Sequence, residues 1–258
     1  PKLLKLAYSS DFGVPTMVMS NRWAAFPFML VALLGSAAAD DAAFDAARLK
    51  TSRFTYQDIQ DGKPGSLSLC TVSTVAQGNY RFTCDFPAFD QSWSTVATRS
   101  MAPVETTLKM RAREGRHYQM TLTYTGHHVT GEAVTDPSAD GRLPGSDRAV
   151  EADISEDTVD QRIDWATVMT TDLKPGQKLL FSVYDAKTGV SQVSCTIADA
   201  GVMESPLGKL AAIRLVYTVE KSTSTESYTV YATRDVPRMM LREDLPGGLT
   251  AMLVKVEP

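Results

Sequence analysis

Period-2 alternation runs through most of this chain and constrains its fold more than any other feature. Val104, Thr106, Leu108, Met110 and Ala112 alternate with Glu105, Thr107, Lys109, Arg111 and Arg113. Tyr118, Met120, Leu122 and Tyr124 repeat the pattern, as do Ile213, Leu215, Tyr217 and Val219, then Tyr228, Val230 and Ala232. Similar runs occupy 52–59, 66–75, 79–86, 179–185, 190–197, 238–243 and 249–256. Successive side chains of a strand point to opposite faces, so this period marks half-buried antiparallel strands. The expectation is a mainly β chain: a single curved antiparallel sheet or half-open β-barrel of about ten strands, with one or two short helices.

Register follows from parity. Directly opposed residues share a face, so apolar positions must pair with apolar positions. For 104–112 against 118–124 both apolar sets are even-numbered, which demands an odd-length loop. Arg113-Glu114-Gly115 supplies one, with Gly in the left-handed position. The same test selects Ala76-Gln77-Gly78 between 66–75 and 79–86. On Phe181 and Val183 against Val193 and Cys195 it selects Lys187-Thr188-Gly189. Each loop ends in Gly.

The Ala76-Gln77-Gly78 loop puts Cys70 opposite Cys84, at a non-hydrogen-bonded position where Cα atoms lie about 4.5 Å apart. A disulfide between them is expected in an oxidising compartment. Cys195 shares its face with Phe181, Val183 and Ile197 and reads as a buried, inert thiol.

Helical signals are fewer. Asp41 to Lys50 is Ala-rich and suits a short helix. A second helix is expected over 157–171, with Val159, Ile163, Ala166 and Thr170 on one stripe. Ser155 or Asp157 would cap it, and Lys174-Pro175-Gly176 would close it. Residues 88–100 are ambiguous. Between Thr135 and Ala149 the run DPSADGRLPGSDR is too rich in Pro, Gly and Asp for regular structure, and reads as a lid or a mobile loop.

The address is written near the start. Arg22 forms a short positive region, Ala24 to Leu34 is an uninterrupted apolar run, and Ala37-Ala38-Ala39 offers small residues for cleavage. This is the layout of a secretory signal peptide over 19–39, cleaved before Asp40. Met17 and Met19 lie just upstream, so 1–18 reads as a non-native extension and 40–258 as one exported mainly-β domain. After cleavage no membrane-length apolar run remains, and the product is expected in the periplasm or outside the cell.

Catalytic patterns are largely decoys. Lys187-Thr188-Gly189 spells a serine β-lactamase triplet without its Ser-x-x-Lys or Ser-Asp-Asn companions. There is no Gly-x-Ser-x-Gly, no phosphate-cradling Gly loop and no His-Glu-x-x-His. His127 and His128 are adjacent and point to opposite faces of a strand, and His117 lies far along the partner strand, so no metal site is expected. Asp147, Glu151, Asp153, Glu156, Asp157, Asp160 and Asp164 form an acidic stretch without Ca²⁺-loop spacing. They read as acids favouring a helix N-terminus plus a solvated face. A net charge of −4 without a basic block argues against nucleic acid. No cofactor is expected.

The C-terminal half resembles a known family. Glu204-Ser205-Pro206-Leu207-Gly208-Lys209 leads into the strand with Tyr217. A strand with Tyr228 and Tyr231 follows, then Arg234-Asp235-Val236-Pro237-Arg238, and Leu249 to Val256 closes the chain. Upstream, a helix with Arg162 and Trp165 precedes Leu173-Lys174-Pro175-Gly176-Gln177 and Phe181-Ser182-Val183-Tyr184-Asp185. This order is similar to the exported bacterial family called domain of unknown function 3108, over roughly residues 100–258. The segment with Cys70 and Cys84 lies outside that resemblance. The family carries no assigned activity, so the resemblance implies an exported fold rather than a reaction. Its layout of a curved sheet with a crossing helix is also similar to periplasmic half-barrels that carry lipoproteins or lipids, an analogy of fold alone.

Three readings follow. The first is a non-catalytic protein binding or carrying an apolar or lipid-like ligand on the concave face, with Trp93, Leu143 and Trp165 as lining residues and 157–171 and 136–149 as covers. The second is a structural or envelope-assembly protein that uses its sheet edges and acidic surface to bind a partner, without a small-molecule ligand. The third is a hydrolase with an unrecognised site. A continuous apolar cavity would favour the first; a filled core with exposed apolar surface would favour the second.

Overall fold

The computed structural model describes residues 43–111, 115–221 and 224–258. The expected upstream extension, signal peptide and cleavage before Asp40 lie outside these residues, as do the start of the Ala-rich segment and Arg113-Glu114.

Fifteen strands form one sheet. The first eight are β1 (Ser52–Gln60), β2 (Lys63–Thr74), β3 (Tyr80–Phe86), β4 (Gln91–Ala97), β5 (Pro103–Arg111), β6 (His117–Thr125), β7 (His128–Thr135) and β8 (Ser146–Asp153). The rest are β9 (Thr158–Asp160), β10 (Lys178–Asp185), β11 (Gly189–Ser205), β12 (Gly208–Glu220), β13 (Thr225–Thr233), β14 (Met240–Asp244) and β15 (Leu249–Glu257). The order across the sheet is 8-7-6-5-4-3-2-1-15-14-13-12-11-10-9. The first strand pairs with the last in mid-sheet, and two meanders run outward from that seam. Every ladder is antiparallel except that of β9 with β10.

The sheet curls. Its two edge strands, β8 and β9, are joined by only four residues, 154–157, which span at most about 17 Å. No ladder joins β8 to β9, so the sheet is curved but not closed. Instead, the Tyr124 hydroxyl on β6 donates to Asp160 on β9 at 2.6 Å. Arg148 on β8 donates to the Ala186 carbonyl beyond β10 at 2.8 Å.

Two expected registers are present. Met110 opposes Tyr118 and Leu108 opposes Met120; Cys70 opposes Cys84, with Ala76–Gly78 as the turn. The third differs. Phe181 opposes Val193 and Leu179 opposes Cys195, so the loop is Ala186-Lys187-Thr188, closed by Asp185 and Gly189. Asp185 decides this, because its carboxylate accepts from the backbone N–H groups of Lys187 and Thr188 at 2.9 and 3.2 Å. The slip is two residues, so the apolar faces still match and parity alone could not detect it.

The strand count exceeds the expected ten. The ambiguous 88–100 contains β4, and β7 and β8 flank a ten-residue loop. Irregular structure therefore ends at Gly145 rather than reaching Ala149, because Ser146–Asp153 pairs along all of β7.

The expected helix over 157–171 is shorter. Thr158–Asp160 is strand, and the helical segment comprises a 3-10 turn Gln161–Ile163, an α-turn Asp164–Thr167 and a 3-10 turn Val168–Thr170. Its cap is Asp160, which accepts from Arg162 N–H at 2.9 Å, not Ser155 or Asp157. Those two bond each other instead, at 2.5 Å. Near the N-terminal end of the described chain only Ala46–Arg48 is helical.

The helical segment fills the concave side of the sheet. Ile163, Ala166, Thr167, Val168 and Thr170 are 0% exposed. With Asp164 and Met169, seven of the eight positions 163–170 are buried, more than a one-sided stripe requires; this is a segment surrounded by protein.

Candidate functional site

Two polar clusters hold the helical segment in place. At its start, Arg162 donates to Asp160 at 3.2 Å and to Asp185 at 2.5 Å. Asp160 is fully buried and also receives the Tyr124 hydroxyl, while the Tyr124 ring meets Tyr184 edge-on at 6.4 Å. Burial works against ionisation of Asp185, but the guanidinium and two backbone N–H groups prevail and hold its carboxyl below the usual range. This cluster ties β6 to β9 and β10 across the open seam.

At its end, Arg238 donates to the carbonyls of Met169 and Thr171 at 2.7 and 2.5 Å. A cation on the last carbonyls of a helix is favourable in both charge and hydrogen bonding. The Arg238 backbone is itself tied in, exchanging bonds with Arg48 and Lys50 at 2.6 and 2.7 Å.

A third cluster lies between the segment and the sheet. Asp164 is 3% exposed; its carboxyl accepts from Trp165 N–H at 2.6 Å and is approached by the Tyr228 hydroxyl. Burial pushes its pKa up to about 7, against the opposing pull of the Tyr228 hydroxyl and Arg162. Glu243 on β14 opposes the buried Val230 and Ala251, so its carboxyl faces inward although the residue as a whole is half-buried. Burial, with Asp164, Asp244 and Asp58 adding, pushes it up to about 8. Tyr217 and Tyr228 stack beside them at 4.6 Å between ring centroids, and Tyr217 donates to the Trp165 carbonyl at 3.0 Å. Cys195 is fully buried here and its thiol is pushed well up by burial, so it is a packing group rather than a nucleophile.

These groups converge beside the helical segment. The cavity beside the helical segment, lined by Leu49, Phe54, Tyr56, Trp165, Met169 and Arg238 among others, measures about 10 Å³. That is room for one water at most. A shallower surface depression of about 290 Å³ lies at the β1–β2 and β14–β15 turns. Neither is lined by Asp164 or Glu243.

The three proposed lining residues lie on different elements. Trp165 lines the small cavity; Trp93 is 9% exposed on β4, opposite Cys84 and Leu108; Leu143 is half-buried in the β7–β8 loop. Cys70 and Cys84 form a disulfide with Cα atoms 4.1 Å apart. His127 sits in the β6–β7 turn beside Glu156 at 3.3 Å, and His128 beside Asp153 at 2.9 Å. Among the described residues, no group of three or more His, Cys, Asp or Glu is placed to hold a metal, and no helix is long and apolar enough to cross a membrane. The acidic stretch divides. Asp147, Glu151, Asp153, Glu156 and Asp157 are exposed, while Asp160 and Asp164 are buried.

Sequence reasoning gave no role to Arg238, Asp185 or Glu243. Arg238 and Asp185 lay within the motifs that carried the family resemblance. Glu243 had one further signal: it takes an inward position in a strand whose neighbours there are apolar.

Four exposed apolar side chains lie on β2 and β15, the two strands that flank β1. Leu67 and Met252 both oppose Gln57, on either side of β1, and are 49% and 36% exposed; Leu69 and Val254 nearby are 41% and 42% exposed.

A family model described as protein of unknown function, DUF3108, matches residues 68–254. The match takes in Cys70 and Cys84, which the sequence resemblance had left out. Two solved structures show similarity at 9% identity, each covering 84% of this chain and 100% of its own. One is a Bacteroides fragilis protein of YmcC-like fold, provisionally described as exported, with a TM-score of 0.34; the other is a Parabacteroides distasonis protein, provisionally described as a lipoprotein, with a TM-score of 0.33. A structure of MucB in complex with MucA(peri) is similar at 12% identity and a TM-score of 0.19, covering 83% of this chain and 95% of that one. No functionally curated protein matches.

Proposed function

The chain belongs to the DUF3108 family, whose description assigns no activity, and from that premise we propose that it is an exported, non-catalytic protein that acts by binding a protein partner on its outer surface. One observation carries this reading: the concave side of the sheet is already occupied by its own helical segment, and the cavity beside that segment measures about 10 Å³. Small-molecule and lipid sites are clefts of about 300–1,000 Å³. A carrier of an apolar or lipid-like ligand would have to expel residues 161–170, breaking the Arg162 and Arg238 contacts at both ends. Export draws support from the apolar run Ala24–Leu34 with its small-residue cleavage site, and from a disulfide of the kind oxidising compartments preserve. A hydrolase would use the titratable groups Asp164 and Glu243, and neither of the two cavities described above is lined by them.

The test is native mass spectrometry of protein purified without detergent from an oxidising compartment, followed by solvent extraction. The expected result is the bare chain, two hydrogens light for the disulfide. A discrete co-purifying lipid mass would overturn the reading and restore the carrier.

A further inference from the structure

The β6–β7 hairpin fixes which backbone groups of β8 are free. Thr125 opposes His128 across the two-residue turn Gly126-His127, so this closing pair exchanges hydrogen bonds and the pattern alternates from there. Even-numbered residues of β7 bond to β6, and odd-numbered ones bond to β8. Backbone bonds at both ends agree: Asp136 N–H to the His117 carbonyl at 2.9 Å, and Ile154 N–H to the His127 carbonyl at 2.8 Å. The odd-numbered partners oppose Ser146, Arg148, Val150 and Ala152. Those four use their N–H and C=O groups on β7. Asp147, Ala149, Glu151 and Asp153 aim theirs away from the sheet, where no strand pairs among the described residues.

The same four residues share the convex face, since Val150 between them is buried on the inner one. All four are exposed, and three are acids. Glu132 opposes Ala149 and adds a fourth carboxylate, and exposed Glu156 and Asp157 continue the charge past the strand end. Arg148, the strand's one cation, lies on the other face and is engaged with the Ala186 carbonyl. His128 lies beside Glu151 and Asp153, at 3.7 and 2.9 Å.

We propose that the outer edge of β8 accepts an extended segment of a partner protein as an added strand, and that this segment carries Lys or Arg at alternate positions facing Asp147, Glu151 and Asp153. Strand addition supplies affinity through the main chain and specificity through alternate side chains. Opposed residues share a face, so the added strand's outward side chains meet three carboxylates, while its inward ones meet Val150 and Ala152. Charge selects the occupant. A second copy of β8 would set acid against acid, which opposes edge-to-edge pairing. This inference rests on the partner-binding reading and makes it specific.

The probe is a short peptide alternating Lys and Thr, with a Glu-Thr peptide as control, titrated against the full chain. The Lys-Thr peptide is expected to bind and the control not. Ala149→Pro removes one outward N–H without touching the β7 ladder, and should weaken binding about tenfold. Glu151→Lys with Asp153→Lys should weaken the Lys peptide by at least as much and admit the Glu peptide. In the unaltered protein, hydrogen exchange should slow on peptide addition at the amides of residues 147, 149, 151 and 153. Those of 148 and 150, already bonded to β7, should not change. Binding that moderate salt abolishes, without that alternating protection, would mean charge attraction only and overturn the proposal. Absence of binding would overturn it too, leaving the carboxylates as guards of an edge. Neither outcome alters the bare-mass test, so the two readings fail separately.

Discussion

Asp164→Asn should stabilise this protein at alkaline pH and leave it unchanged in acid. The folded chain holds the Asp164 carboxyl at a pKa of about 7 against its ordinary 3.8, through burial opposed in part by the Tyr228 hydroxyl. A raised carboxyl pKa means the folded state keeps a proton that the unfolded state has released. The stabilising contribution is therefore complete below pH 3.8 and is lost as pH rises to about 7. At 1.36 kcal/mol per pH unit, the loss from this one group reaches about 4 kcal/mol by pH 8. Asparagine keeps the oxygen that accepts from Trp165 N–H, has nothing to ionise, and offers an amide N–H that the Tyr228 hydroxyl oxygen can accept. Urea titrations at pH 4 and pH 8, with the disulfide intact, read the difference as a shift in midpoint at constant slope. The variant should match the parent within about 0.5 kcal/mol at pH 4 and exceed it by about 4 kcal/mol at pH 8. An advantage equal at both pH values would be a packing effect; no advantage at pH 8 would mean that the carboxyl is solvated. Either result refutes the placement of this acid in a low-dielectric interior.

Other perturbations test the rest of the framework. Arg238→Ala strips the Met169 carbonyl of its cation and leaves the Thr171 carbonyl only the Arg48 donor at 3.3 Å, and should cost about 3 kcal/mol in urea unfolding. Asp185→Ala leaves Arg162 with only Asp160; a loss of about 3 kcal/mol is expected at pH 7, shrinking in acid as the parent's Asp185 protonates. Gly131→Ala would place a Cβ 2.0 Å from the Thr121 carbonyl oxygen; the β6–β7 backbones must part, and thermal unfolding should show a loss of about 3 kcal/mol or more. Replacing Cys70 and Cys84 together by Ser opens a loop with a sequence separation of 14 and should cost about 3 kcal/mol, read from urea midpoints against the oxidised parent.

Much of the local architecture was legible in the residues. Alternation predicted most of the strands, and odd loops ending in Gly predicted the facing of Met110 with Tyr118 and the pairing of Cys70 with Cys84. Both are short-range consequences of a two-residue period and a turn that needs a left-handed residue; Gly78 and Gly115 take φ near +74° and +73°. The candidate site was far less legible. Asp147, Glu151 and Asp153 read as part of one acidic stretch with Asp160 and Asp164, yet the first three lie along an exposed edge and the last two lie inside the protein. Spacing along the chain cannot separate them, because the division depends on where the sheet curls.

What the sequence by itself determined is therefore parity, the mainly β class, two of the three turns and the disulfide. Each is settled within a hairpin, by groups a few residues apart. The tertiary structure alone decided the pairing of β1 with β15 and the conversion of Thr158–Asp160 to strand. It also decided the burial of residues 161–170 as the filling of their own sheet. Those outcomes turn on contacts between distant segments: Arg238 on the Met169 carbonyl, Tyr124 on Asp160, Arg162 on Asp185. A periodic pattern states which face of each strand is apolar, but not which other segment will cover it. Here the cover was the chain's own helical segment, which is why its function is sought on the outside of the sheet.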